Sequence, residues 1–162
     1  MKYAKEQLPK YPNLNNIRVT TCFSGTVLQD TPSWQNVVDY CDSVVYLTVY
    51  PWYGGAAPDN ITAQMDWSWN HGLKQVADRG KQIVIAEIGW PSADGRLTTS
   101  ENEKVNYQTT KRFLSGATAP QWALDTFWFE MFDEAWKTDE GPWGPHWGLD
   151  TSGPNPQPKF DF

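Results

Sequence analysis

Cysteine is scarce: Cys22 and Cys41 are the only two in 162 residues. Two cysteines cannot build a disulfide framework, and they fall too far apart, on separate predicted elements, for a metal site. They are expected to be reduced, half-buried thiols. Basic charge is also short. Lysine and arginine number 13 against 19 acidic residues, a net charge of −6, which excludes a nucleic-acid partner whose phosphates demand a basic face. No apolar run approaches the roughly 18 residues of a membrane span. The opening Met1–Gln7 is polar and lacks the apolar segment of a signal peptide, so these residues name no destination. There is no G-x-S-x-G nucleophile elbow and no glycine-rich phosphate loop. His71 stands mid-helix beside Gly72, a surface position more than a ligand position. Neither a metal nor an organic cofactor is expected.

What the chain has in excess is tryptophan, ten in all. Some must be core, because indole buries a large area. Ten exceed the needs of one domain of this size, and aromatic rings also stack on the apolar faces of sugars. The order of elements is regular. Residues 1–16 read as a short helical piece broken at Pro9 and Pro12. Ile17–Phe23 is β-branched and reads as a strand. Thr31-Pro32 opens a helix carried by Trp34, Val37, Val38 and Cys41. Ser43–Tyr50 is a second strand, apolar almost throughout, as in sheets covered on both faces. Asn60 caps a helix in which Ile61, Met65, Trp69, Leu73 and Val76 recur, with Gly80 at its stop. Gln82–Ile88 is a third strand. Ser100-Glu101-Asn102-Glu103 is a capping box for a helix ending near Gly116. Leu124–Phe132 is a fourth strand. Residues 138–162 hold five of the twelve prolines and read as an ordered closing loop and tail, since Trp143, His146 and Trp147 would be costly to leave in water. Strands alternating with helices imply a parallel sheet with right-handed crossovers. Four such strands make either an open α/β sheet or half of an eight-stranded barrel, which needs about 250 residues when complete.

In such folds the active site lies at the carboxyl ends of the strands. Strand three runs through apolar residues directly to Glu87, then turns at Gly89-Trp90-Pro91. An unpaired carboxylate in a buried strand is expensive, which favours a functional role over a structural ion pair. Strand four carries Glu130 and is followed by Glu134, Trp136 and Lys137. Paired carboxylates suit glycoside hydrolysis, one attacking the anomeric carbon and the other protonating the leaving oxygen, and a neighbouring lysine keeps a nucleophile ionised. Strand two ends in Tyr50-Pro51-Trp52-Tyr53, aromatics able to stack on or hydrogen-bond a sugar.

Ala86-Glu87-Ile88-Gly89-Trp90-Pro91-Ser92 resembles the nucleophile segment of family 17 glycoside hydrolases, which are retaining β-1,3-glucanases and glucanosyltransferases built on a (β/α)8 barrel. Val49-Tyr50-Pro51-Trp52 is similar to the end of that family's sixth strand, and Phe129 to Lys137 to its eighth. Trp143-Gly144-Pro145-His146-Trp147-Gly148-Leu149 is similar to its closing loop. The resemblance implies an α/β fold, half of a (β/α)8 TIM barrel with four parallel strands and flanking helices, forming one domain over residues 1–162. It implies Glu87 as nucleophile, Glu134 and Lys137 as accessory acid and base with Glu130 near them, and Tyr50 in the glycone subsite. Trp52, Tyr53, Trp90, Trp136 and Trp147 are expected to contact a β-1,3-glucan. It implies a secreted or envelope-associated setting. The family's general acid, a Glu after Asn at the fourth strand, has no counterpart here, because Asn102-Glu103 lies inside a helix. Weak or absent turnover is therefore expected. A half barrel has two open edges, so self-association into an eight-stranded ring is expected too, with Glu130 or Glu134 of one copy approaching the missing acid's place in the other. The alternatives are a glucan-binding module without catalysis and a fragment without independent function.

Overall fold

The computed structural model describes residues 1–25, 33–115 and 125–162. A short helix α1 (Lys2–Gln7) passes into two 3-10 turns that contain Pro9 and Pro12, as a missing amide donor dictates. Then follow β1 (Cys22–Ser24), α2 (Ser33–Tyr40), β2 (Val44–Val49), α3 (Ile61–Ser68), a π turn (Trp69–Leu73), α4 (Lys74–Ala77), β3 (Gln82–Ile88), α5 (Ser100–Ser115) and β4 (Thr126–Trp128). The four strands lie in the order β1-β2-β3-β4, every pair parallel. This is the expected α/β arrangement of four parallel strands with flanking helices, and the expected helix start at Thr31-Pro32, the stop near Gly116 and the strand start at Leu124 lie outside the described residues.

The core sits between the sheet and the helices on one side. Val45, Leu47 and Val49 of β2 and Ile83, Ile85 and Ile88 of β3 pack with Val38, Ile61, Met65, Leu73 and Val76. Each such side chain contributes roughly 1.5–3 kcal/mol on leaving water. The other face buries Val44 and Val84 but is only half-buried where it carries Tyr46, Thr48, Tyr50 and Glu87. The expectation of a sheet covered on both faces is corrected accordingly.

Several boundaries differ from the sequence reading. Strand one is regular only over Cys22–Ser24. Upstream the chain is tied by separate bonds, Val19 N to Asp42 Oδ2 at 2.5 Å and Asp42 N to Val19 O at 2.9 Å. Strand four stops at Trp128, and Phe132 makes an isolated bridge to Asp150. The helix after Asn60 is interrupted. Asn60 occupies the cap position without a side-chain cap bond, and the π turn inserts one extra residue before Leu73. In an uninterrupted helix the eight residues from Met65 to Leu73 would advance the side chain about 80° past the core-facing line. The wide turn cancels most of that, so Leu73 is buried with Ile61 and Met65. The helix ends at Ala77, and Gly80 adopts φ +69°, the left-handed stop that glycine permits. The capping box is also corrected. Thr99 caps α5, its Oγ1 accepting Asn102 N at 3.0 Å, while Glu103 turns inward and is fully buried. Cys22 is exposed and Cys41 buried, both unpaired.

Candidate active site

The decisive local feature is a bulge in β3. The register runs Leu47 to Ile85, then Thr48 to Glu87, so Ala86 is an extra residue. The β4 side agrees, with Ile85 opposite Thr126 and Ile88 opposite Trp128. Strict alternation would put Glu87 on the same face as Ile83 and Ile85, in the helix-packed core. The bulge exchanges the faces: Ile88 joins the core and Glu87 moves to the half-open side beside Thr48 and Tyr50.

There the Tyr50 hydroxyl donates to Glu87 Oε2 at 2.5 Å. Burial, then the bond and charge of Glu87, push the Tyr50 phenol far above its usual range, so it remains a donor at any ordinary pH. A cavity of about 390 Å³ opens over the pair, lined by Tyr50, Tyr53, Glu87, Phe129, Lys137, Glu140 and Trp147. Aromatic edges enclose it: Tyr50 meets Tyr53, Phe129 and Trp147 with ring centroids 5.9, 6.0 and 5.2 Å apart.

At the end of β4, Lys137 is nearly buried. Its ammonium donates to both oxygens of Glu130 at 2.9 Å, pairs closely with Glu134, and lies 4.2 Å from the Phe129 ring centroid. Glu130 is raised above the usual carboxylate range by burial, which outweighs its bonds to Lys137. Glu134 is lowered by its hydrogen bond to Lys137. Lys137 is raised, because its bonds to Glu134 and Glu130 outweigh the burial that opposes its charge. Lys137 shares the cavity with Glu87, but its ion pairs go to the other two carboxylates. The bond to Glu87 comes from Tyr50, which corrects the expected pairing.

The two strand ends touch backbone to backbone. Phe129 N donates to Ile88 O at 2.8 Å, and a Cβ on Gly89 would stand 2.1 Å from Phe129 O, so only glycine fits. Trp90, expected as a sugar contact, is instead fully buried, its Nε1 donating to Leu97 O at 2.9 Å. It supports the loop and cannot reach a ligand. Trp147 is also almost wholly buried but lines the cavity wall. Trp52 donates to Arg96 O and lies against Tyr53 and Trp143. Tyr53 is exposed, and so is Trp136, the latter at 69%. His71 stacks on Trp67 away from this site. Sequence reasoning missed Glu140 and the ring of Phe129 as lining residues. Among the described residues no group of three His, Cys, Asp or Glu side chains could hold a metal ion, and no helix is long and apolar enough to cross a membrane.

A family model described as the BtgE/BtgC glycoside hydrolase domain matches residues 1–148. The chain belongs to this family. Glucan endo-1,3-beta-glucosidase btgC of Emericella nidulans is 27% identical over 174 residues, a match covering 96% of this chain and 26% of that protein. The chain thus spans about a quarter of that curated relative's length. Among solved structures, CJP38, a beta-1,3-glucanase and allergen of Cryptomeria japonica pollen, superposes with TM-score 0.74 at 23% identity, covering 99% of this chain and 62% of that one. The glycoside hydrolase family 17 beta-1,3-glucanosyltransferase from Rhizomucor miehei gives 0.68 at 22% identity, covering 99% and 54%. These neighbours share the fold, and the four strands of this BtgE/BtgC domain correspond to about half of such a chain.

Proposed function

We propose that the chain carries the nucleophile side of a retaining site acting on β-1,3-glucan, with Glu87 as the attacking carboxylate. The observation that carries this reading is the Ala86 bulge, which takes Glu87 out of the core and presents it, with the Tyr50 hydroxyl on one oxygen, to an aromatic-lined cavity. In a retaining reaction the free carboxylate oxygen attacks the anomeric carbon, the glycosidic C–O bond breaks, and a general acid protonates the departing oxygen. Water or a sugar hydroxyl then releases the glycosyl group from Glu87. Tyr53 provides exposed aromatic surface for the ring, Trp147 closes the cavity wall, and Lys137 of the lining is ion-paired with Glu130 and Glu134.

Both carboxylates at the β4 end are ion-paired, so neither is free to serve as the acid in the same chain. We infer that an isolated chain turns over weakly or not at all. We infer too that its edges β1 and β4, with Phe127 exposed on the latter and Met131, Phe132 and Trp136 exposed on the chain that follows it, favour self-association that brings further strands alongside. A mechanism-based inhibitor that traps glycosyl-enzymes should label Glu87, and Glu87→Gln should abolish the label. Labelling that survives this substitution would show the nucleophile to be misassigned. Light scattering that gives a concentration-independent monomer would sink the association. The same ion pairs favour a second reading, a β-glucan-binding module. Saturable quenching of tryptophan fluorescence by laminari-oligosaccharides, with no label and no products, selects it.

A further inference from the structure

One buried ion pair takes no part in the chemistry above. Lys159, in the segment after the closing loop, has a side chain only 8% exposed. Its ammonium donates to Ser92 Oγ at 2.6 Å and to Asp133 Oδ1 at 2.7 Å, and stands 3.7 Å from Glu103 of α5. Ser92 lies in the segment that leaves β3, and Asp133 in the one that leaves β4. Each of these partners reaches on to a residue beside Trp147. Ser92 donates through N and Oγ to His146 O, at 2.8 and 3.0 Å. Asp133 Oδ1 accepts Gly148 N at 2.9 Å. Glu130 is then joined to the same stretch by Glu130 N to Trp147 O and Leu149 N to Glu130 O, both 3.0 Å. The backbone of Lys159 itself closes the loop, donating to Leu149 O at 2.9 Å. At Gly148 an added Cβ would lie 2.0 Å from Asp133 N, so the strap presses against the β4 end with no slack.

We propose that Lys159 is a positioning residue for the Glu87 cavity: one ammonium gathers the segments leaving β3 and β4 and thereby fixes the two neighbours of Trp147, the cavity's aromatic wall. The role in sugar recognition rests on the glucan reading above. The role in positioning does not. Charge supports the geometry. Asp133 would otherwise be a partly buried anion, and an ammonium with two short polar contacts fixes direction better than apolar packing does. Glu103 adds an acid within reach of the same ammonium.

The test is Lys159→Met in the full chain, read by residue-resolved amide exchange and by laminari-oligosaccharide titration of tryptophan fluorescence. Exchange at Gly148, Leu149 and Glu130 should rise about tenfold or more while Leu47 and Ile85 in the core strands keep their protection. Sugar affinity should fall about tenfold. Unchanged protection at Gly148 and Glu130 would overturn the proposal. If Leu47 and Ile85 lose protection as well, Ser92→Ala decides, since it removes one neutral arm and leaves the ion pair. Faster exchange at Leu149 and Glu130 with an intact core supports positioning, and no change there refutes it. A wild-type chain that binds no oligosaccharide defeats the glucan reading alone, because the exchange data still decide the clamp.

Discussion

The ends of β3 and β4 lie side by side and hold their carboxylates by opposite means. At β3 the strand is long, buried and regular up to Ala86, and one inserted residue aims Glu87. Its orientation is a property of the backbone, and a neutral phenol completes it. At β4 the strand stops after three residues, and Glu130 and Glu134 stand on irregular chain. Their orientation is a property of one lysine. A reacting group gains from the first arrangement, because strand geometry resists displacement and leaves an oxygen free. A supporting group can tolerate the second, in which charge pairing does the work and consumes the acceptors.

Ile88→Asp attacks the result of the β3 bulge and should have the largest effect. It sets an unpaired carboxylate in the apolar core, where the bulge has placed position 88, costing several kcal/mol and showing as a collapsed denaturation midpoint. Deleting Ala86, by contrast, should cost far less, because plain alternation from Ile85 then puts Glu87 on the cavity side and Ile88 in the core. Lys137→Met attacks the β4 device. It leaves Glu130 half-buried and unpaired, at a cost of about 3 kcal/mol. Glu130→Gln in the same chain should recover most of that in a double-mutant cycle. If the single and double variants are equally unstable, the lysine acts through packing on Phe129 and not through charge.

Glu103 tests the seam between the two ends. Burial, opposed by Lys159 and reinforced by Asp133, pushes its carboxyl up to about 9. Its folded value lies above the unfolded one near 4.3, so the folded state holds the proton longer. The stability it confers is complete below about pH 4.3 and is lost as pH rises towards 9, by at most about 1.4 kcal/mol per pH unit. Glu103→Gln should flatten stability against pH over this window. An unchanged slope would mean that Glu103 is ionised in the fold. Tyr50→Phe should have the smallest effect, about 1 kcal/mol for one hydrogen bond, measured by chemical denaturation, and should leave the Lys137 cluster untouched.

Much of this site was legible. A carboxylate at the end of an apolar run, followed by Gly-Trp-Pro, singled out Glu87, and a position just beyond strand four, among aromatics, singled out Glu134 and Lys137. The alternation of strands and helices was plain because β2 and β3 are long and apolar. What could not be read was phase. Period-two counting assigns Glu87 to the core face, and only pairing with Leu47 and Thr48 exposes the extra residue. Trp90 looked like a platform because indole at a strand end suits both packing and stacking, and burial alone separates them. Glu103 looked like a capping residue because Ser100 mimics the motif. Thr99, one residue earlier, captures the helix end and frees the acid to turn inward. Lys159 gave no signal, since its partners are distant in the chain.

The π turn at Trp69–Leu73 repeats in a helix what Ala86 does in a strand. Both are odd steps in an otherwise even count, and each restores agreement between a pattern of side chains and the surface they must meet. Parity therefore acts as a hidden coordinate of this fold. Two chains with the same hydrophobic residues in the same order, differing by one position before Leu73 or before Glu87, present the same faces to the sheet and to the cavity only where one has the odd step and the other lacks it. A substitution can be judged by the chemistry of its side chain. A single insertion or deletion in these elements is judged first by whether it lands on the same side of an odd step as its compensating partner.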